Sequence, residues 1–135
     1  MSMKVLVVEP DWRFAQKASA YLESHAHLVV RENRLDAALL RAAQWHPDLV
    51  IVAAEVAEDG FVQRLGEIEP RPAVLLTGWL DRCDIAWRAW QKGGDELLMK
   101  PVFTTEELHQ AIVTALENAA TGNWDVRRHQ RAVSA

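Results

Sequence analysis

The sequence predicts a three-layer α/β domain with a five-stranded parallel sheet, and three observations carry that prediction. Five short apolar runs recur along the chain: Val5 to Val8, Leu28 to Val30, Leu49 to Ala54, Ala73 to Leu76 and Leu97 to Met99. Each is continuous, without the in–out alternation of a half-exposed strand, which is the pattern of strands covered on both faces. Between them lie stretches with helical spacing, so the order reads βαβαβαβαβα. Strict alternation at this length calls for right-handed helical crossovers between parallel neighbours.

The elements follow in order. Val5 to Val8 is the first strand, and Asp11 is placed to cap a helix whose stripe is Phe14, Ala18, Tyr21 and Leu22. Leu28 to Val30 gives the second strand, followed by the stripe Leu35, Ala38, Leu39 and Ala42. The third strand, Leu49 to Ala54, precedes a short helix carrying Phe61, Leu65 and Ile68. Ala73 to Leu76 leads to a fourth helix with Ala86, Ala89 and Trp90, which Gly93-Gly94 ends by taking φ above zero at little cost. Leu97 to Met99 is the fifth strand. After Pro101, Thr104 with Glu106 and Glu107 makes an acidic first turn for the last helix, which bears Leu108, Ile112, Ala115 and Leu116.

Composition bounds the function. The chain has 135 residues, half of them hydrophobic and a quarter charged, which fits one domain with a single core. Net charge is −4 with the signs well mixed, and the short basic run Arg127, Arg128 and Arg131 is too small to argue for a nucleic-acid or membrane surface. The lone cysteine, Cys83, has no partner for an internal disulfide and reads as an inert thiol in a reducing compartment. The N-terminal apolar stretch is too short for a signal peptide, and no segment approaches the roughly 18 apolar residues of a membrane span. A cytoplasmic protein is expected.

In open doubly wound sheets the site lies beyond the carboxyl ends of the strands, where strand order reverses. The first strand there ends in Glu9-Pro10-Asp11, the third in Ala53-Ala54-Glu55, the fourth in Thr77-Gly78 and the fifth in Lys100-Pro101. A hydroxyl, an ammonium group and carboxylates thus converge around a methyl group at Ala53.

These residues carry a resemblance. MKVLVVEPD at Met3 to Asp11, PDLVIV before the third loop, Asp59-Gly60, LLTG at Leu75 to Gly78 and AWRAWQKGGDELLMKPV ending at Val102 stand in the order and spacing of a receiver domain of two-component response regulators. The chain resembles that CheY-like, flavodoxin-like family over about residues 3–119, with 120–135 as a C-terminal tail. The resemblance implies strand order 2-1-3-4-5. In the family a histidine kinase passes a phosphoryl group to an aspartate at the end of the third strand. An acidic pair after the first strand helps to hold Mg²⁺, and the strand-four hydroxyl and strand-five lysine bind the phosphoryl oxygens. The resemblance places Thr77 and Lys100 in the last two roles and makes Pro101 a cis-proline.

Three parts of that mechanism are missing together. PDLVIV aligns without a gap and puts Ala53 at the phosphoacceptor position, with no Asp or Glu between Asp48 and Glu55. Of the acidic pair, Glu9 keeps the first position while Pro10 takes the second. The aromatic switch of the fifth strand is Leu97. Glu55, two residues past Ala53, would leave an extended strand on the same side, and Asp59 reads as a turn residue before Gly60; both are expected to be solvated loop carboxylates rather than acceptors. With fewer anions to face, a partly buried Lys100 should pair permanently with Glu9 or Asp11. No cofactor is expected, and Mg²⁺ binding should be lost or weak.

The leading expectation is therefore a stand-alone, degenerate receiver acting by protein contact in a phosphorelay-type pathway, with a possible homodimer through the face of the fourth helix, fifth strand and fifth helix or through the tail. Six tryptophans stand at 12, 45, 79, 87, 90 and 124. Trp90 belongs to the core stripe. Trp87 lies off it and Trp79 is placed in the loop after Thr77, so these two, with Leu97, are either a partner face or aromatics folded over nearby grooves. Trp124 and Val126 either anchor the tail on the domain or a second copy, or belong to a frayed extension of the last helix. The tail is too short for an effector domain. Two other readings stay open: a small molecule or anion in the space near Ala53, beside Thr77 and Lys100, and a flavodoxin-like enzyme. Against the enzyme, Glu9 to Phe14 has no glycine-rich or Ser/Thr-rich phosphate cradle and no nucleophile–base pair is visible.

Overall fold

A computed structural model of the chain describes residues 2–57, 60–102 and 104–122. The apolar runs form strands β1 (Lys4–Val8), β2 (Leu28–Arg31), β3 (Leu49–Ala53), β4 (Ala73–Trp79) and β5 (Glu96–Lys100). Helices α1 (Trp12–Ser24), α2 (Leu35–Trp45), α3 (Phe61–Gly66), α4 (Cys83–Lys92) and α5 (Thr105–Thr121) alternate with them. The sheet is parallel throughout, in the order β2-β1-β3-β4-β5. The connection leaving β1 runs to β2 on one side and the connection leaving β3 runs to β4 on the other, so the order reverses between β1 and β3, and the crevice expected at such a point opens above their carboxyl ends.

Side-chain alternation along buried strands divides the interior into two layers. Leu6, Val8, Val50, Val52, Val74 and Leu76 point to one face, where Ala38 and Ala42 of α2, Phe61 and Leu65 of α3, and Ala86 and Trp90 of α4 cover them. Val5, Val7, Leu49, Ile51, Ala73 and Leu75 point to the other, under Phe14, Ala18 and Leu22 of α1 and Leu108, Ile112 and Ala115 of α5. The continuous apolar runs of β1, β3 and β4 are therefore what a strand needs when both of its faces carry helices.

The two edge strands depart from that expectation. β2 is only half-covered, with Leu28 58% exposed, and β5 is half-buried until Lys100. Each has a neighbour on one side only, so the helices that flank the sheet reach it incompletely. Other boundaries also shift. β3 stops at Ala53, and Ala54 to Val56 is a turn in which the amides of Val56 and Ala57 both donate to the Ala53 carbonyl at 3.1 Å. β4 runs on to Trp79, which is paired with Lys100 and is not in a loop. α3 has only six residues, so Ile68 packs on the core from beyond its end. α5 continues past residue 119 to Thr121.

The chemical punctuation stands as expected. Asp11 caps α1, its carboxylate accepting from the Arg13 amide at 3.3 Å. Thr104 and Glu107 form a reciprocal capping box at the start of α5. Gly93 and Gly94 end α4 with φ of 147° and 110°. The Lys100–Pro101 peptide bond is cis. Asp59, Trp124, Val126 and the basic run Arg127, Arg128 and Arg131 lie outside the described residues.

Gly78 sets how closely α4 approaches the sheet, since a Cβ built there would stand 2.5 Å from the Ala86 Cβ. Both partners of that contact belong to regular elements, so neither can swing aside. Gly78→Ala is expected to destabilise the fold by about 1–3 kcal/mol, measured by urea denaturation. Unchanged stability would show that α4 separates from β4 freely.

Candidate functional site

The parallel register brings four side chains to one end of the sheet. Val8 is level with Val52, and Ala53 is level with Thr77. Thr77 pairs with Leu98, so Lys100, two residues on, emerges on the same side as Thr77 and Ala53. Glu9 follows β1 directly and turns its carboxylate into the same space.

There Glu9 and Lys100 form a buried ion pair. The Lys100 ammonium lies 3.0 Å from both Oε1 and Oε2 of Glu9, and the two side chains are 1% and 0% exposed. Thr77 donates its hydroxyl to Glu9 Oε1 at 2.6 Å, and the Asp11 amide donates to Oε2 at 3.2 Å. Both carboxylate oxygens are thus fully engaged. On its far side the ammonium meets aromatic rings, with the Trp79 centroid at 4.6 Å and that of Phe14 at 5.7 Å. Burying opposite charges is favourable only when remaining donors and acceptors are also satisfied, and this cluster meets that condition.

Of the two carboxylates expected to face Lys100, Glu9 takes the contact. Asp11 is occupied as the cap of α1 and is only half-buried. Glu55, read from the sequence as a solvated loop residue, stands in an exposed turn, and its carboxylate also comes within 3.8 Å of the ammonium with its side chain 26% exposed. It hangs from the tight turn at Ala54 to Val56 that follows β3. Ala53 is completely buried at the end of β3, its methyl group level with Thr77. Pro101 is exposed beside the cis bond. Phe14 was read as core and is also a wall of the site; the Asp11 cap, which puts it in the first turn of α1, was the available signal.

The aromatic residues divide. Trp90 is fully buried, whereas Trp87 and Leu97 are half-buried, packing on the layer of α2, α3 and α4 while leaving part of their surface to solvent. Trp79 is half-buried above Lys100, so its first contact is with the site. Next to it opens a cleft of about 610 Å³ between the first turn of α1, the end of β4 and the segment after β5. Trp12, Arg13, Phe14, Lys17, Trp79 and Lys100 are among its lining, whereas Glu9, Ala53 and Thr77 are not.

No protein-family model matches the sequence, and the comparison with curated proteins gives no match. Solved structures do match. A response regulator receiver domain protein from Clostridium thermocellum is 25% identical over 88% of this chain and 98% of its own, with a TM-score of 0.68. The signal receiver domain of a putative Luxo repressor protein from Vibrio parahaemolyticus is 19% identical over 91% of this chain and 96% of its own, at 0.68. NtrX from Brucella abortus, in complex with ADP, is 20% identical at a TM-score of 0.77; the match covers 99% of this chain but only 29% of NtrX. The chain has the fold of response-regulator receiver domains, with the strand order 2-1-3-4-5.

The pairing at the site has an asymmetric consequence. Glu9→Gln leaves the buried ammonium facing only the distant, partly exposed Glu55, and should cost about 3 kcal/mol, the low end of the range for a broken buried pair. Combining Glu9→Gln with Lys100→Met removes both charges and should recover most of that loss. Denaturant titration of the single and double variants checks this; a double variant as unstable as the two single losses added together would contradict the pairing.

Proposed function

We propose that this protein is a receiver-type signalling module that acts through protein contact, without phosphorylation of an aspartate at the usual site. The observation that carries the reading is the closed cluster of Glu9, Thr77 and Lys100 around the methyl group of Ala53. A methyl group can neither attack phosphorus nor bind a metal. The lysine and hydroxyl that the family uses for phosphoryl oxygens are here satisfied by a carboxylate of the chain itself. That carboxylate supplies permanently the negative charge that a transferred phosphoryl group would supply on demand.

A Mg²⁺ ion does not fit these residues. Mg²⁺ needs oxygen ligands in near-octahedral geometry, and it is usually held through one or two carboxylates. Both Glu9 oxygens are held by Lys100, Thr77 and the Asp11 amide, Pro10 offers no side-chain donor, and Asp11 is committed to its helix. Among the described residues no group of three His, Cys, Asp and Glu side chains is placed to hold a metal ion. The protein on this reading catalyses no reaction and needs no cofactor.

The partner surface is the face of α4, β5 and α5, where Trp87 and Leu97 leave apolar area exposed at the open edge of the sheet. A protein of the same pathway or a second copy of this chain fits that surface. The mixed charge of −4 favours neither nucleic acid nor membrane, and no helix of the described residues is long and apolar enough to cross a bilayer. A cytoplasmic setting is in keeping with this role. A ligand seated at Ala53 itself is disfavoured, because Ala53 and Thr77 are both completely buried.

Incubation with acetyl phosphate and Mg²⁺, followed by intact mass measurement, tests the reading on this chain and on Ala53→Asp. No gain of a phosphoryl group is expected on the natural sequence, and a gain there overturns the proposal. A gain on Ala53→Asp alone would identify the acceptor as the decisive loss.

A further inference from the structure

We propose that the cleft beside Lys100 binds a small planar aromatic anion, a ring bearing a carboxylate or a phosphate. This site is separate from the closed position at Ala53 and does not depend on the protein being independent of phosphorylation. Its volume of about 610 Å³ falls within the roughly 300–1,000 Å³ of ligand pockets, and it lies at the carboxyl edge of the sheet, where α/β folds place ligands.

The lining states what class of molecule belongs there. Trp12, Phe14 and Trp79 all border the cleft. Trp12 is 70% exposed, so its indole face is open to a ring entering the cleft. Flat aromatic walls favour a flat ligand.

Charge supplies the second requirement. Arg13 and Lys17 stand one helical turn apart on α1, and both line the cleft. Lys17 donates to the Val102 carbonyl at 2.9 Å, which ties the segment after β5 to α1 and fixes the cleft wall, while leaving further N–H groups for a ligand. The Arg13 guanidinium has no hydrogen-bond or ion-pair partner among the described residues, although its backbone amide is held by Asp11. A guanidinium fork matches a carboxylate or a phosphate in two parallel hydrogen bonds. Competing charges are already settled: the Asp11 carboxylate caps α1, and Lys100 is neutralised by Glu9. The cleft is left with a cationic excess from Arg13 and Lys17 and with aromatic surface from Trp12, Phe14 and Trp79.

Isothermal titration with 1-naphthoate and 1-naphthyl phosphate tests the proposal, with acetate, inorganic phosphate and neutral 1-naphthalenemethanol as controls lacking the ring or the charge. Binding of at least one naphthyl anion is expected, with each control at least about tenfold weaker. Which of the two binds more tightly distinguishes a carboxylate from a phosphate ligand. Trp12→Ala and Arg13→Gln change exposed side chains, so the fold should survive, and each should weaken binding about tenfold. Absence of binding by both naphthyl anions at millimolar concentration overturns the proposal. So does undiminished affinity in both variants, or a control that binds as tightly as the anions.

Discussion

The ammonium group of Lys100 is the constraint around which this end of the molecule is organised. It emerges from the edge strand β5 but is 1% exposed, and an ammonium taken out of water without compensation costs several kcal/mol. Every near neighbour can be understood as compensation. Glu9 supplies the charge, Thr77 and the Asp11 amide hold Glu9 in place, and Trp79 offers the negative face of its indole. Glu55 adds a second carboxylate at longer range. On the proposed reading Ala53 stands where a receiver carries its aspartate, and the charge of Lys100 is met instead by the nearest carboxylate of the chain, Glu9.

That solution depends on the sheet. Glu9 reaches Lys100 only because β1, β3, β4 and β5 end at nearly the same level, and level ends follow from the parallel register that pairs Val8 with Val52, Ala53 with Thr77 and Trp79 with Lys100. The register in turn is specified by burial. A slip of one residue would exchange the side chains of Leu6, Val8, Val50 and Val52 with those of Val5, Val7, Leu49 and Ile51 between layers of different shape. Gly78 contributes locally: lacking a Cβ, it lets Ala86 of α4 approach β4 directly below the residues of the site. Core packing and site geometry are one problem in this fold.

The central strands, the helix caps and the inventory of the site were legible in the sequence because each rests on a local signal. Buried parallel strands show as unbroken apolar runs, Thr104 with Glu106 and Glu107 shows as the acidic first turn of a helix, and Ala53 shows by position within an unbroken apolar run. What was not legible depends on chain direction after an element ends. The sequence puts Glu55 in the loop on the side of Ala53 but does not show its approach to Lys100, which depends on the turn whose amides donate back to the Ala53 carbonyl. Trp79 was put in a loop because β4 continues through a Thr-Gly pair that reads as a strand terminus; pairing with β5 overrides that local preference. The choice of Glu9 over Asp11 as the partner of Lys100 was open because both are acidic and close in sequence. The helix cap decided it, since one carboxylate is not free to serve two distant demands.

A switch needs two states and an input with different affinity for them. On the proposed reading, the input that moves a receiver is a charge added beside the lysine and the strand-four hydroxyl. In this chain the corresponding charge belongs to Glu9, whose effective concentration at Lys100 is set by the fold and by nothing in solution. On that reading an input at that point would have to displace an internal carboxylate that is hydrogen-bonded on both oxygens, and control acts instead on the occupancy of the α4, β5 and α5 face by a partner, or on the cleft on the outer side of Trp79. The second route is physically direct. Trp79 borders the cleft and lies over Lys100, and it is the last residue of β4, with three residues between it and the start of α4. A ring stacked on it would bear on both the lysine and the start of that helix without touching the position that Ala53 has closed.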